Sequence, residues 1–266
     1  MAVSLSGRRA LIIGGTSGIG LACAKSLRER GAAVVVASRR GICDCLPAVA
    51  MDVTNPASVA MGVAEALAKL GGLDLLMYCA GYGLCGAVED TALDEADAMM
   101  QANAHGFLAV CQCTLPHLRA AGRGWVCVIG SAGGAIPLPF QSHYSASKAA
   151  LAAYCQSLAM ELQSFGIAVT LVEPGDLSTG FTAARRASCP PESPYAPACQ
   201  KAVDIMTADE LGGPTPDKLA AKLTKLVARK RPPVRVIWPA KYRLMVVLFA
   251  LLPRRWGLAL VAKTYK

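Results

Sequence analysis

Short, continuously apolar runs at 9–13, 33–37, 48–51, 73–79, 124–129 and 168–173 alternate along the chain with longer Ala- and Leu-rich stretches. The longer stretches cover 20–30, 57–70, 93–120 and 144–165. Runs that are apolar without alternation suit parallel strands covered on both faces, and the longer stretches have the length and composition of helices. Strand–helix alternation of this kind predicts an α/β fold with a doubly wound parallel sheet.

Two segments break the rhythm. Residues 38–47 leave too little chain for a full crossover helix between the second and third strands. Residues 176–216 are proline-rich, include Cys-Pro-Pro, and show no long periodic run. They read as a flexible loop over the sheet edge, the kind of excursion that covers a binding site. A short helix (217–231) and a last strand (234–238) follow, which brings the sheet to about seven strands with helices on both faces. Residues 1–240 thus read as one catalytic domain with 176–216 as its substrate loop, and 241–266 as a basic, apolar C-terminal extension.

Composition changes this picture in one respect. The 266 residues are 54% hydrophobic and carry a net charge of +9. Residues 1–217 hold 14 Lys+Arg against 18 Asp+Glu, a net of −4, while 218–266 hold 13 Lys+Arg and no acid. The charge is therefore a property of the tail. That tail is dominated by Leu, Val and Ala and carries no nucleic-acid-binding module. Its apolar run is too short to span a bilayer, and its central arginines would each cost about 3 kcal/mol there. Lying in the membrane interface, packing on the body and forming an oligomer contact all remain open. The eleven cysteines are scattered, odd in number and mostly set in apolar runs. They read as small buried hydrophobes in a reducing compartment, and with three scattered histidines they form no metal cluster. The opening apolar run, 10–13, runs straight into Gly14-Gly15, unlike a signal peptide. The expected location is cytoplasmic, with membrane association through the tail as the open question.

The first strand enters Gly14-Gly15-Thr16-Ser17-Gly18-Ile19-Gly20, where a helix begins. Glycines in that place allow unusual backbone angles and close approach of a pyrophosphate, and the helix N-terminus offers free N–H groups. This makes the sheet a Rossmann-type one. The second strand ends in Ser38-Arg39-Arg40 without the acid that would bind a ribose 2′-hydroxyl. A hydroxyl beside guanidinium groups suits a 2′-phosphate, so the expected cofactor is NADP(H).

At the end of the fifth strand stands Ser131, and thirteen residues later Tyr144-Ser145-Ala146-Ser147-Lys148. Tyr144 and Lys148 share one helix face, and none of the other six tyrosines has a lysine four residues on. With Asp52-Val53 after the third strand, Ala80-Gly81 after the fourth, Asn103 beyond it, and Pro174-Gly175 with Thr179 after the sixth, the chain resembles the short-chain dehydrogenase/reductases. Ala80–Leu84, Pro137–Phe140 and Ser193–Pro197 resemble their 17β-hydroxysteroid and retinol dehydrogenase-like subgroup.

The resemblance implies that Tyr144 is the general acid–base, that Lys148 stabilises its phenolate, that Ser131 binds the carbonyl oxygen, and that Asn103 holds a proton-relay water. It places the cofactor against Gly14, Thr16, Ser17, Gly18, Ile19, Gly20, Ser38, Arg39, Asp52, Val53, Ala80, Gly81, Tyr144, Lys148, Pro174, Gly175 and Thr179. It also implies a homodimer or homotetramer. Two positions depart from the family's usual pattern: Ile13 for threonine, and Tyr78-Cys79 for a pair of asparagines. Loss of those amides brings strand tethering into question. The substrate is expected against Ser131, Tyr144, Leu84 and Leu138. His143 either joins them or lies exposed, and Tyr195 either caps the substrate or packs its loop. Apolar residues around the site suit a bulky ketone or alcohol, first of all a hydroxysteroid, with a long-chain lipid or retinoid carbonyl as the alternative. A nucleotide-sensing scaffold without turnover is the non-enzymatic alternative.

Overall fold

The computed structural model describes residues 4–229 and 231–265. In chain order the strands are β1 (Arg9–Ile13), β2 (Ala33–Ser38), β3 (Ala48–Ala50), β4 (Leu75–Tyr78), β5 (Leu84–Gly86), β6 (Gly124–Ile129), β7 (Ile167–Pro174), β8 (Arg186–Ser188) and β9 (Arg235–Trp238). Seven form one parallel sheet in the order β3-β2-β1-β4-β6-β7-β9, and β5 pairs with β8 in a small parallel ribbon.

The helices are α1 (Gly18–Arg28), α2 (Pro56–Leu70), α3 (Leu93–Met100), α4 (Gly106–Ala120), α5 (Ser142–Glu161), α6 (Phe181–Ala184), α7 (Ala196–Leu211), α8 (Pro216–Val227), α9 (Ala240–Leu251) and α10 (Arg254–Thr264).

The unbroken apolar runs have a direct explanation. Successive strand residues point to opposite faces, and both faces are covered. Leu11 and Ile13 pack with Val59, Phe107 and Leu151 of α2, α4 and α5. Ala10 and Ile12 pack with Ala24, Leu27, Leu219 and Leu223 of α1 and α8. Local chemistry sets the element ends. Asn55 caps α2 by accepting from the N–H groups of Ala57 and Ser58, Pro56 starts it, and Gly71 at φ +69° ends it. The sheet order reverses at β1/β4, so the carboxyl ends of these strands open a crevice, where such sheets bind ligands. Segment 39–47 crosses from β2 to β3 without a helix, as its length requires.

The stretch 93–120 is helical throughout, with a π-helical turn, Gln101–His105, joining α3 to α4. Two expectations need correcting. The proline-rich 176–216 is not a loop throughout but contains the 16-residue α7. Pro197 in the first turn starts α7, and its buried Cys199, Ala202 and Met206 follow a spacing of three and four. Such small apolar residues make a faint stripe in sequence. The cysteines are also not all unpaired, because α7 brings Cys199 back onto the preceding loop, where it is disulfide-bonded to Cys189. Cys23, Cys85, Cys111, Cys127 and Cys155 are free and buried, as small apolar residues would be.

Candidate active site

At the crevice the turn after β1 is built around glycine. Gly14 has φ +75°, and a Cβ there would lie 2.8 Å from the backbone nitrogen of Ala80. A Cβ on Gly20 would lie 2.3 Å from the Gly14 carbonyl oxygen, so α1 can sit this close to the turn only without a side chain there. No acid occupies the first turn of α1, and no side chain caps it. Its N–H groups therefore face the cleft with the positive end of the helix dipole. Gly14, Ser17, Gly18, Ile19 and Gly20 line this wall, and Pro174, Gly175 and Thr179 line the opposite one. Thr179 Cβ lies 3.9 Å from the place a Cβ on Gly18 would occupy, which marks where the walls approach.

Thr16, Ser38, Arg39, Asp52, Val53 and Ala80 do not line the cleft. Ser38 Oγ accepts from the Gly41 N–H at 3.2 Å. Arg39 and Arg40 are exposed at the end of β2. The Thr54 N–H and hydroxyl donate to Asp52, which holds its carboxylate below the usual range, and the charge of Arg39 adds to this.

Ser131, Tyr144 and Lys148 converge at the centre of the cleft. Ser131 follows β6, and its Oγ accepts from the Gly133 N–H at 3.0 Å. Tyr144 and Lys148 lie one turn apart on α5, and both are buried. Burial pushes the Tyr144 phenol up to about 12, opposed by its hydrogen bond with Ser131. Burial pulls the Lys148 ammonium down to about 8. The ammonium donates to the Ile129 carbonyl at 3.2 Å and lies 5.8 Å from the Tyr144 ring centre.

Asn103 sits in the π-helical turn with both ends of its amide hydrogen-bonded. Its Oδ1 accepts from the Tyr82 N–H at 3.0 Å, and its Nδ2 donates to the Tyr82 carbonyl and to Ser147 Oγ, each at 3.0 Å. It ties the loop after β4 to α5. A Cβ on Gly81 (φ +150°) would come within 2.7 Å of Asn103 Oδ1, so this close approach requires glycine.

The departure at Tyr78-Cys79 leaves a tether in place. Tyr78 is fully buried, and its hydroxyl donates to the Ala102 carbonyl at 2.8 Å, joining β4 to the π-helical turn. Cys79 lines the cleft, and burial holds its thiol well above the ordinary value, so it stays protonated.

Among the residues expected at the substrate, Leu138 lines the cleft, as does Phe181, while Leu84 is buried beneath it against Tyr144. His143 does not line the cleft, and its Nε2 is buried with no hydrogen-bond partner among the described residues. Tyr195 lines a separate shallow hollow with Leu138 and Phe140.

Several lining residues were not legible beforehand. Met206, Asp209 and Glu210 come from α7, Tyr242 and Met245 from α9, Val261 from α10, and Tyr265 from the residue that follows α10. Glu210 pairs with Arg185 in a largely buried bridge and accepts from the Thr182 hydroxyl at 2.6 Å. The Tyr242 hydroxyl donates to Asp176. Burial, with Asp209 and Glu210 nearby, raises Asp176 to about 6. Helix faces of this kind give a readable signal, but their position over the cleft depends on long-range packing. The whole cleft is about 450 Å³. Among the described residues no group of His, Cys, Asp or Glu has the geometry to hold a metal ion.

A doubly wound sheet with a glycine cradle at its switch point and a Ser–Tyr–Lys cluster beside it defines a dinucleotide-dependent oxidoreductase of Rossmann type. The family model for short chain dehydrogenase matches residues 8–190, and the chain belongs to that family. It is 38% identical over 245 residues to a 3-ketodihydrosphingosine reductase of Bacteroides thetaiotaomicron, covering 90% of each chain. It is 30% identical over 261 residues to a probable short-chain type dehydrogenase/reductase of Helicobacter pylori, covering 93% of this chain and 94% of that one. A short-chain dehydrogenase structure from Streptomyces avermitilis superposes with a TM-score of 0.82 at 28% identity over 93% of each chain.

Proposed function

We propose that the protein is an NADP(H)-dependent reductase that interconverts a hydrophobic ketone and its secondary alcohol, with a long-chain lipid ketone as the substrate. The observation that carries this is the convergence of Ser131, Tyr144 and Lys148 in a cleft whose outer wall includes Leu138, Phe181, Met206, Met245 and Val261. The glycine cradle and the uncapped α1 N-terminus fit a pyrophosphate. A nicotinamide dinucleotide bound there supplies or accepts the hydride.

Ser131 donates a hydrogen bond to the carbonyl oxygen and fixes the reacting carbon. Tyr144 gives its phenolic proton to that oxygen as the alcohol forms and takes it back in the reverse direction. In the free protein burial holds the phenol high, near 12, so it keeps its proton until it is needed. The Lys148 ammonium beside it stabilises the phenolate left behind. Asn103 is a positioning residue through its bonds to Tyr82 and Ser147.

Arg39 and Arg40, exposed and with no acid at the end of β2, support NADP(H) over NAD(H). The likeness to a 3-ketodihydrosphingosine reductase supports the lipid over the steroid reading. Asp176, Asp209 and Glu210 in the same cleft disfavour a carboxylated chain and suit a head group rich in donors. The test is nicotinamide oxidation with 3-ketodihydrosphingosine, a retinal and a panel of steroid ketones, each with NADPH and with NADH. Turnover of steroids alone would replace the lipid reading. Cofactor binding without turnover of any ketone would point to a sensing scaffold.

A further inference from the structure

The α9–α10 hairpin has two unlike sides. Its inner side packs on the body: Val246 and Phe249 are buried against Ile136, and Tyr242 and Val261 line the cleft. Its outer side is apolar and bare, with Leu248 51%, Leu251 78%, Trp256 67% and Leu260 61% exposed. Lys241, Arg243, Arg254, Arg255 and Lys263 are exposed around it, and the sequence has no acid after Asp217. Bare apolar side chains ringed by charge of a single sign mark a binding surface.

We propose that this hairpin docks on an anionic lipid bilayer, with its outer leucines and Trp256 in the interface and its Lys and Arg side chains on the headgroups. The helices, of 12 and 11 residues, are about 18 and 16 Å long, too short to cross the hydrocarbon core. No helix of the described residues is long and apolar enough to cross a membrane. A second copy of the chain is the poorer occupant, because it would set one acid-free basic face against another. Met245 belongs to both surfaces, half-exposed and lining the cleft, so docking places the cleft mouth against the bilayer. A lipid ketone would enter there, a consequence that rests on the function proposed above; the docking itself does not.

The test is sedimentation of the full-length protein with vesicles of phosphatidylcholine alone and of phosphatidylcholine mixed with phosphatidylglycerol. The expected result is binding to the mixed vesicles that weakens as salt rises, with little binding to the neutral ones. Arg243→Gln/Arg255→Gln is expected to weaken binding about 25-fold, roughly fivefold per basic residue. Leu251→Ser/Trp256→Ser is expected to abolish it, with cofactor binding unchanged in both variants as the control for folding. Failure of wild type to bind the mixed vesicles, equal binding to neutral ones, or variants that bind like wild type would each overturn the proposal. So would a dimer in gel filtration that Leu251→Ser/Trp256→Ser dissolves while wild type ignores vesicles. Because vesicle binding needs no turnover, a failed ketone panel leaves this test intact.

Discussion

Lys148 should cost the fold stability in exchange for chemistry. Its side chain is buried, and its pKa falls from the ordinary 10.5 to about 8, chiefly by desolvation. At about 1.4 kcal/mol per pH unit, holding the ammonium there costs about 3 kcal/mol at neutral pH. Lys148→Met fills similar volume without the charge, and it gives up the hydrogen bond to the Ile129 carbonyl, worth about 1 kcal/mol. The variant should therefore be more stable than wild type by about 2 kcal/mol at pH 7, a Tm gain of about 4–8 °C for a domain of this size.

The sign with pH follows from the lowered pKa. Between about 8 and 10.5 the unfolded chain binds more protons at this lysine than the folded one, so wild type gains stability as pH rises through that window. The advantage of the variant should shrink from pH 8 upward, vanish at about pH 10, where the remaining cost of the ammonium equals the lost hydrogen bond, and reverse above it. Differential scanning calorimetry of both proteins from pH 7 to pH 10, beside a turnover assay, measures this. A less stable Lys148→Met at pH 7, or a difference that does not change with pH, would refute the reasoning. So would full activity in the variant.

Three further outcomes are expected. Tyr78→Phe removes the buried bond to the Ala102 carbonyl and should cost about 1–2 kcal/mol by denaturant unfolding, which tests whether this tyrosine does the tethering. Arg185→Ala leaves the Glu210 carboxylate unpaired beside the cleft and should cost about 3 kcal/mol, while Arg185→Met/Glu210→Met should regain most of it in the same melts. Arg39→Asp should lower the NADPH-to-NADH ratio of kcat/KM by about 10- to 100-fold, the worth of a charge-assisted bond to phosphate; an unchanged ratio would remove Arg39 from cofactor choice.

Much of this was legible because it is local. Leu11 and Ile13 belong to one core and Ala10 and Ile12 to the other, and a strand buried on both faces has to read as a continuous apolar run. The Tyr144–Lys148 spacing puts both groups on one turn of α5 whatever surrounds them. What the sequence hid depends on distance. Nothing near Tyr78 foretells the Ala102 carbonyl 24 residues on, and nothing near Glu210 foretells Arg185, because both partners are chosen by tertiary packing. Cys199 meets Cys189 only because α7 forms, and α7 was hidden by the prolines before it and by the small size of its buried residues. The tail showed its charge in composition, but its packing is visible only in the fold, where Val246 and Phe249 bury against Ile136 and the Tyr242 ring lies against Gly175.

The central claim is that Tyr144 transfers a proton during NADPH-dependent reduction of a long-chain ketone. The most direct measurement is kcat for Tyr144→Phe against wild type with 3-ketodihydrosphingosine, with NADPH binding followed separately. The expected result is a loss of about 10²- to 10⁴-fold with the cofactor still bound. Turnover that survives the loss of the hydroxyl, or a wild type that binds NADPH and reduces no long-chain ketone, would contradict it.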